Sequence, residues 1–159
     1  MSRFLYLIAC LIFLTGFSYG KGLKPYNFSL KDENGKTVKL ENFKGKVVVI
    51  SFWSTTCHTC REELPKISKI SREFQDKPVR FFGIVIDTKD PSRIKEIKKK
   101  WKFDIPVLIG NSIVISKYRI IGTPITYILK KDLTIGKIIY GDYPEEKYRK
   151  IIKRLLEEN

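Results

Sequence analysis

Histidine is nearly absent from this chain of 159 residues, and cysteine is scarce. His58 is the only histidine, and Cys10, Cys57 and Cys60 are the only cysteines. A structural zinc site needs four nitrogen or sulfur ligands at suitable spacing, which this set does not supply. A framework of several disulfides would also need more cysteines. The close pair at positions 57 and 60 therefore predicts a redox-active couple, with half of a metal site and an inert structural disulfide as the alternatives.

Long apolar runs are also lacking, apart from one at the N-terminus. Arg3 precedes an apolar stretch that extends to Phe17, and small residues follow before Lys21. The stretch is shorter than the ~20 residues that a membrane-spanning helix usually needs, and the pattern is typical of a signal peptide. We expect residues 1–20 to be a signal peptide or an N-terminal membrane anchor, and residues 21–159 to form one domain.

This N-terminal segment predicts where the protein works. An exported chain would act outside the cytoplasm, either in the periplasm or anchored to the outer face of the cytoplasmic membrane. Residues 7–10 also resemble a lipoprotein-processing site, but only six residues precede them, which leaves almost no apolar core for the signal. Cleavage, or retention as an anchor, is therefore preferred to lipidation.

Acidic residues are outnumbered by basic ones, 17 to 31, so the formal net charge is +14 at pH 7. Anionic lipids, an acidic protein or nucleic acid would suit such a charge. Most lysines, however, alternate with apolar residues at helical or strand spacing, and the run at 98–100 falls on the polar side of a predicted helix. We therefore expect a solvated basic face and no nucleic-acid partner.

The apolar pattern predicts one sheet between helices, an α/β fold. Asn34 and Gly35 are predicted to supply the positive-φ residues of a tight turn in a leading hairpin. The predicted strands and helices, in chain order, are strands at 28–31, 36–40 and 47–53, a helix from about 57, a strand at 79–86, a helix at 91–101, a hairpin of 125–129 and 134–140, and a last helix from about 144.

The cysteine pair lies where a buried strand gives way to a helix, in the segment FWSTTCHTC at 52–60. Free backbone N–H groups and the helix dipole favour an anion at a helix N-terminus, so the Cys57 thiol would titrate below the ~8.5 of free cysteine, at ~3.5 to 7.5. We expect Cys57 to be the attacking sulfur. Cys60, one turn along and facing inward, would be the resolving sulfur. Covalent haem attachment would need a histidine where Arg61 stands.

Four motifs carry a resemblance to a known family. They are the hairpin ending in Lys-Gly-Lys at 44–46, the FW…CxxC segment, the CxxCxxExP pattern at 57–65, and Gly-Thr-Pro at 122–124 before a strand. Residues 25–157 resemble the TlpA/ResA group of thioredoxin-like proteins, which includes membrane-anchored reductases acting in cytochrome c maturation. The resemblance implies a thioredoxin-like fold, with a central mixed β-sheet flanked by helices on both faces and an additional N-terminal β-hairpin.

The same resemblance assigns roles to single residues. It implies that Pro124 follows a cis peptide bond beside the cysteines, and that Thr123 offers backbone hydrogen bonds to an extended substrate. An ordinary trans proline opening an edge strand is the alternative. Glu63 matches an acidic residue near the pair, where a half-buried carboxyl with a raised pKa would exchange a proton with Cys60. A surface glutamate on an amphipathic helix is the alternative for Glu63.

Two departures from the family pattern bear on substrate choice and direction. Thr56 stands where the group commonly has Trp, which would reduce the apolar shelf over the thiolate. His58, when protonated, would stabilise the Cys57 thiolate and push the couple towards oxidising behaviour, while Glu63 would act against ionisation. We also expect Trp53 to be core or pocket wall. The predicted substrate-binding group comprises Trp53, Thr56, His58, Thr123 and Pro124.

Together these features predict an extracytoplasmic thiol:disulfide oxidoreductase that reduces protein disulfides and needs no metal or dissociable cofactor. The resemblance implies substrates with cysteine pairs, such as apocytochromes c, and a membrane or periplasmic dithiol as electron donor. A general disulfide oxidase is one alternative, favoured if Cys57 has a strongly lowered pKa and the couple a high potential. A metal-carrying or binding module is the other, although a copper carrier of this fold would be expected to have a longer cysteine spacing and a distant histidine.

Overall fold

The computed structural model describes residues 22–158. The predicted signal or anchor segment at 1–20, with Cys10, lies outside the described residues. Each helix among these residues is too short or too polar to span a bilayer. The strands and helices are β1 (Ser29–Lys31), β2 (Thr37–Lys39), β3 (Val47–Trp53), α1 (His58–Glu73), β4 (Val79–Val85), α2 (Pro91–Trp101), β5 (Val107–Ile109), α3 (Ser112–Lys117), β6 (Ile125–Leu129), β7 (Ile135–Tyr140) and α4 (Glu145–Glu157).

Five of the strands form one mixed sheet in the order β5-β4-β3-β6-β7. β4 is parallel to both β3 and β5, whereas β6 is antiparallel to both β3 and β7. β3 lies at the centre, and all seven of its residues are buried. Because the sheet covers β3 on both edges and other elements cover both its faces, its sequence is apolar almost throughout. The predicted mixed sheet is thus confirmed.

Side chains of β3 alternate between two hydrophobic cores, one on each face of the sheet. Val47 and Val49 face a core that includes the buried sides of α1, α2 and α4. Val48 and Ile50 face a second core, which Phe28, Leu30 and α3 complete. Helices therefore flank both faces, as predicted, and β3 is packed on both sides.

β5 and α3 have no counterpart among the predicted elements. β5 has three residues and α3 has six, so neither is long enough to show a clear period in the sequence. Asn111 caps α3 by accepting a hydrogen bond from the backbone N–H of Val114 at 2.9 Å. This helix matters because it returns the chain to the central part of the sheet, where β6 begins beside β3.

The leading hairpin of β1 and β2 corrects two expectations. Within the hairpin, Gly35 has a positive φ of 83° and Asn34 does not. The backbone N–H of Asp32 donates to the carbonyl oxygen of Lys36 at 2.8 Å, so three residues, 33–35, form the turn instead of the two that were predicted. Lys98, expected on a solvated face, is mostly buried, and its Nζ lies 2.5 Å from Oε1 of Glu33 in the hairpin loop. Glu33 also accepts a hydrogen bond from Val107 N at 2.9 Å. The loop therefore covers the outer edge of β5.

Candidate active site

The cysteine pair lies at the N-terminus of α1, directly after the loop that follows β3. Cys57 is the N-cap residue, and its Sγ accepts a hydrogen bond from the backbone N–H of Cys60 at 3.1 Å. The two residues form a disulfide with their Cα atoms 5.3 Å apart. Cys57 is half-buried, whereas Cys60 is fully buried. Backbone donors at this helix end would stabilise negative charge on the Cys57 sulfur in the reduced protein.

A second element, the loop after β4, holds the loop that leads to Cys57. The backbone N–H of Thr55 lies 2.9 Å from both carboxylate oxygens of Asp87, and the Thr55 hydroxyl donates to Oδ2 at 2.7 Å. Asp87 was not among the residues predicted for the site. Its position just after a buried strand could have pointed to it, because the carboxyl ends of neighbouring parallel strands meet at one edge of the sheet.

The segment before β6 approaches the cysteines from the other side. The peptide bond between Thr123 and Pro124 is cis, which confirms the predicted isomer. The carbonyl oxygen of Thr123 lies 3.4 Å from Sγ of Cys57, and the hydroxyls of Thr123 and Ser54 are 3.3 Å apart. β6 is internal to the sheet, so the alternative of a proline opening an edge strand is wrong. The structure thus brings Cys57, Cys60, Thr123 and Pro124 together.

Glu63 lies one turn beyond Cys60 on α1 and is fully buried, although a half-buried carboxyl was expected. The Tyr148 hydroxyl donates to its Oε1 at 2.5 Å, and the backbone N–H of Tyr143 donates to Oε2 at 3.3 Å. Burial raises the pKa of Glu63 to about 7, and a hydrogen bond with Asp142 adds to the rise, while the bonds from Tyr148 and Tyr143 oppose it. The alternative of a surface glutamate is therefore wrong.

The remaining members of the predicted substrate-binding group differ in exposure. Thr56 and His58 are exposed beside Cys57, and Nε2 of His58 lies 3.7 Å from Oε1 of Glu62. Trp53 is fully buried and makes edge-to-face contacts with the rings of Trp101 and Phe103, with centroids 5.6 and 5.5 Å away. Because it has no exposed surface, Trp53 cannot contact a docked protein and is a core residue, which corrects its inclusion in that group.

An exposed apolar residue near the site was not predicted. Ile121 is 93% exposed and lies two residues before Thr123 in the segment that faces Cys57. Burial cannot be inferred for a single isoleucine within a short loop, because no periodic pattern accompanies it. Its exposure makes it available to a partner that approaches the sulfur.

The stability of the oxidised protein is expected to depend on pH through Glu63. Its pKa is about 7 in the fold against a reference of 4.5, so the folded protein keeps a proton that the unfolded chain releases in this interval. The free energy of unfolding should therefore fall as the pH rises from 4.5 to just above 7, by about 3 kcal/mol relative to the variant Glu63→Gln. Chemical denaturation at several pH values measures this difference.

The exposed neighbour Glu62 provides the matched control, Glu62→Gln, for which no comparable pH-dependent difference is expected. Working with the disulfide intact removes the titration of both cysteines from the comparison. A difference between wild type and Glu63→Gln that is the same at every pH would show that Glu63 is ionised normally.

Comparison with known proteins connects this geometry to a family. The AhpC/TSA family matches residues 22–138 of the chain. The thiol-disulfide oxidoreductase ResA of Bacillus thuringiensis subsp. konkukian is 28% identical over 135 residues, which cover 84% of this chain and 78% of that protein. The thioredoxin-like protein YneN of Bacillus subtilis is 30% identical over 122 residues, 76% of this chain and 72% of that protein.

A solved structure supports the same fold. The thiol:disulfide interchange protein of the thioredoxin family from Chlorobium tepidum superposes with a TM-score of 0.77 at 21% identity, covering 86% of this chain and 97% of that one. This confirms the predicted thioredoxin-like fold. The family match, the similar relatives and the paired cysteines together show that the chain belongs to the AhpC/TSA family and is a ResA-like thiol-disulfide oxidoreductase.

Proposed function

We propose that this oxidoreductase reduces disulfides of protein substrates outside the cytoplasm, with Cys57 as the attacking and Cys60 as the resolving thiol. The observation that carries the proposal is the difference between the two sulfurs. Cys57 is half-buried and caps α1, while Cys60 is fully buried behind it and bonded to it. A sulfur of the substrate therefore has access to Cys57, and Cys60 is in place to displace that substrate sulfur from Cys57.

The first chemical step joins the protein to its substrate. The Cys57 thiolate attacks one sulfur of the substrate disulfide, a new S–S bond forms, and the second substrate sulfur leaves as a thiolate that takes up a proton. The N–H group of Cys60, 3.1 Å from the Cys57 sulfur, stabilises the attacking anion. The carbonyl oxygen of Thr123 faces the same sulfur, so the substrate chain is proposed to align along this segment.

The second step releases the reduced substrate. Cys60 loses its proton and attacks the Cys57 sulfur, and the substrate sulfur leaves as a thiolate and is protonated. Two electrons have then passed to the substrate, and Cys57 and Cys60 are joined. Glu63, one turn along α1 and with a pKa of about 7, is proposed to accept the proton of Cys60, because a carboxyl near neutrality exchanges protons most effectively at working pH.

The substrate class and location are supported by sequence. Resemblance to the TlpA/ResA group supports apocytochromes c as substrates and a membrane or periplasmic dithiol as electron donor. The N-terminal apolar stretch supports export, with the domain in the periplasm or held at the outer face of the cytoplasmic membrane. We propose that Thr56, His58 and Pro124 border the surface on which the substrate docks, together with the exposed Ile121.

Equilibration with glutathione tests the proposal. We expect a measurable potential near the thioredoxin end of the range of about −270 to −120 mV, and transfer of electrons from the reduced protein to a disulfide peptide carrying the haem-attachment pattern C-x-x-C-H. A value near −120 mV would instead support the oxidase alternative, which the exposed His58 beside Cys57 favours. A pair that never equilibrates with glutathione would exclude both.

A further inference from the structure

Polar side chains connect the buried carboxyl of Glu63 to the surface. Lys66, on the same helix, is 30% exposed, and Asp142, in the loop between β7 and α4, is 47% exposed. The ammonium group of Lys66 forms an ion pair with Oδ1 of Asp142 and lies 4.0 Å from Oε2 of Glu63. A fully buried acid thus has two partly exposed charged groups at its outer side.

The other groups that contact Glu63 cannot carry a proton to solvent. The Tyr148 hydroxyl, which donates to Oε1, is itself buried, and burial followed by the charge of Glu63 raises its pKa far above the working range. The backbone N–H of Tyr143, which donates to Oε2, does not titrate. Tyr148 from α4 therefore orients the carboxyl, while Lys66 from α1 and Asp142 from the β7–α4 loop are left as its exchangeable neighbours.

Asp142 and Glu63 are two carboxyl groups that both face the ammonium group of Lys66. The hydrogen bond to Glu63, followed by the one from Lys66, holds the pKa of Asp142 below its ordinary value. The hydrogen bond with Asp142 in turn raises the pKa of Lys66. Two adjacent carboxyls cannot both ionise freely, so the buried one keeps the proton and the outer one, beside the ammonium group, stays charged.

We propose that Asp142 is the group through which the Glu63 proton exchanges with solvent, that Lys66 holds Asp142 in place and ionised, and that Tyr148 orients Glu63. This inference rests on the proposed role of Glu63 as the proton partner of Cys60. A proton released by Cys60 passes to Glu63, then through the shared hydrogen bond to Asp142 and to water, and it returns by the same path when the disulfide is reduced again. Asp142, Lys66 and Tyr148 are thus positioning residues.

The variant Asp142→Asn tests this route. Asparagine keeps the shape of the side chain but removes its negative charge. Because position 142 is half-exposed, we expect the variant to fold. In the oxidised protein with ¹³C-labelled glutamate side chains, NMR titration should show the pKa of Glu63 lowered by about one unit, a tenfold loss of proton affinity. In the reduced protein, the pH at which reduction of the peptide disulfide changes rate should move in the same direction.

Asp104→Asn is the matched control. Asp104 is also a partly exposed aspartate paired with a cation of α1, since Nη1 of Arg72 lies 2.8 Å from its Oδ2. It is not among the groups that change the pKa of Glu63. This control should change neither the titration nor the pH profile. If Asp142→Asn likewise leaves either of them unchanged, while Glu63→Gln slows exchange, the route through Asp142 is overturned and the proposed function stands. If the variant Glu63→Gln reduces the peptide disulfide at the wild-type rate at every pH, the proposed role of Glu63 fails. The route through Asp142 then fails as well.

Discussion

The variant Cys57→Ser is expected to lose disulfide exchange, with a fall in rate of roughly 10³-fold or more. A serine hydroxyl stays protonated at neutral pH and is a poor nucleophile towards sulfur, even with the Cys60 N–H group and the helix dipole at the same position. The remaining thiol at Cys60 is fully buried, so it cannot replace the lost one. The measurement is the rate at which the reduced variant converts a disulfide peptide to its dithiol.

Cys60→Ser is the matched partner of this variant. It should attack as the wild type does but fail to resolve, so that a covalent adduct of one peptide per protein accumulates on Cys57 and is detected by mass spectrometry. Adduct formation in Cys57→Ser at the same rate would place the attacking thiol at Cys60 and contradict the assignment.

Among the variants proposed here, Trp53→Ala is expected to lose the most stability, about 3 to 5 kcal/mol in the free energy of unfolding. The side chain is fully buried at the end of β3, against the rings of Trp101 and Phe103 and close to Gly83, and alanine would leave a large cavity among them. Equilibrium denaturation in urea with the disulfide intact measures the change. The exposed Tyr140 supplies the control, Tyr140→Ala, with an expected change within about 0.5 kcal/mol.

Trp53→Phe distinguishes packing from polar interactions at this position. The indole Nε1 of Trp53 is buried and has no hydrogen-bond partner among the described residues. Phenylalanine retains much of the aromatic packing and removes the unsatisfied donor, so it should cost much less than alanine. A Trp53→Ala protein that is fully stable but binds substrate weakly would show that Trp53 is a substrate contact after all.

The features that could be predicted from the sequence are those encoded by residues close together along the chain. β3 shows as an unbroken apolar run, and the N-cap position of Cys57 follows from the boundary between that run and the helical pattern after it. The cis bond at Pro124 and the acidic residue at 63 came from matching motifs whose spacing is fixed along the chain. In each case a few consecutive residues contain the necessary information.

The environment of Glu63 shows why the rest could not be predicted. Its partners Tyr143 and Tyr148 are 80 and 85 residues away, and only the packing of α4 against α1 brings them to the carboxyl. Thr55 and Asp87, 32 residues apart, meet for a similar reason, since β3 and β4 end at the same edge of the sheet. Single polar residues in loops carry no period, so their partners become visible only when the strands and helices have been placed in three dimensions.

Complete burial of Cys60 has a kinetic consequence for the whole cycle. On the proposed function, we expect the electron donor and the substrate both to react at the sulfur of Cys57, because Cys60 is fully buried behind it. The two partners should therefore exclude each other, and we expect turnover to follow a ping-pong scheme without a ternary complex. Both partners compete for the same reactive sulfur. An excess of either partner in its non-reacting redox state should therefore slow the reaction of the other partner with Cys57.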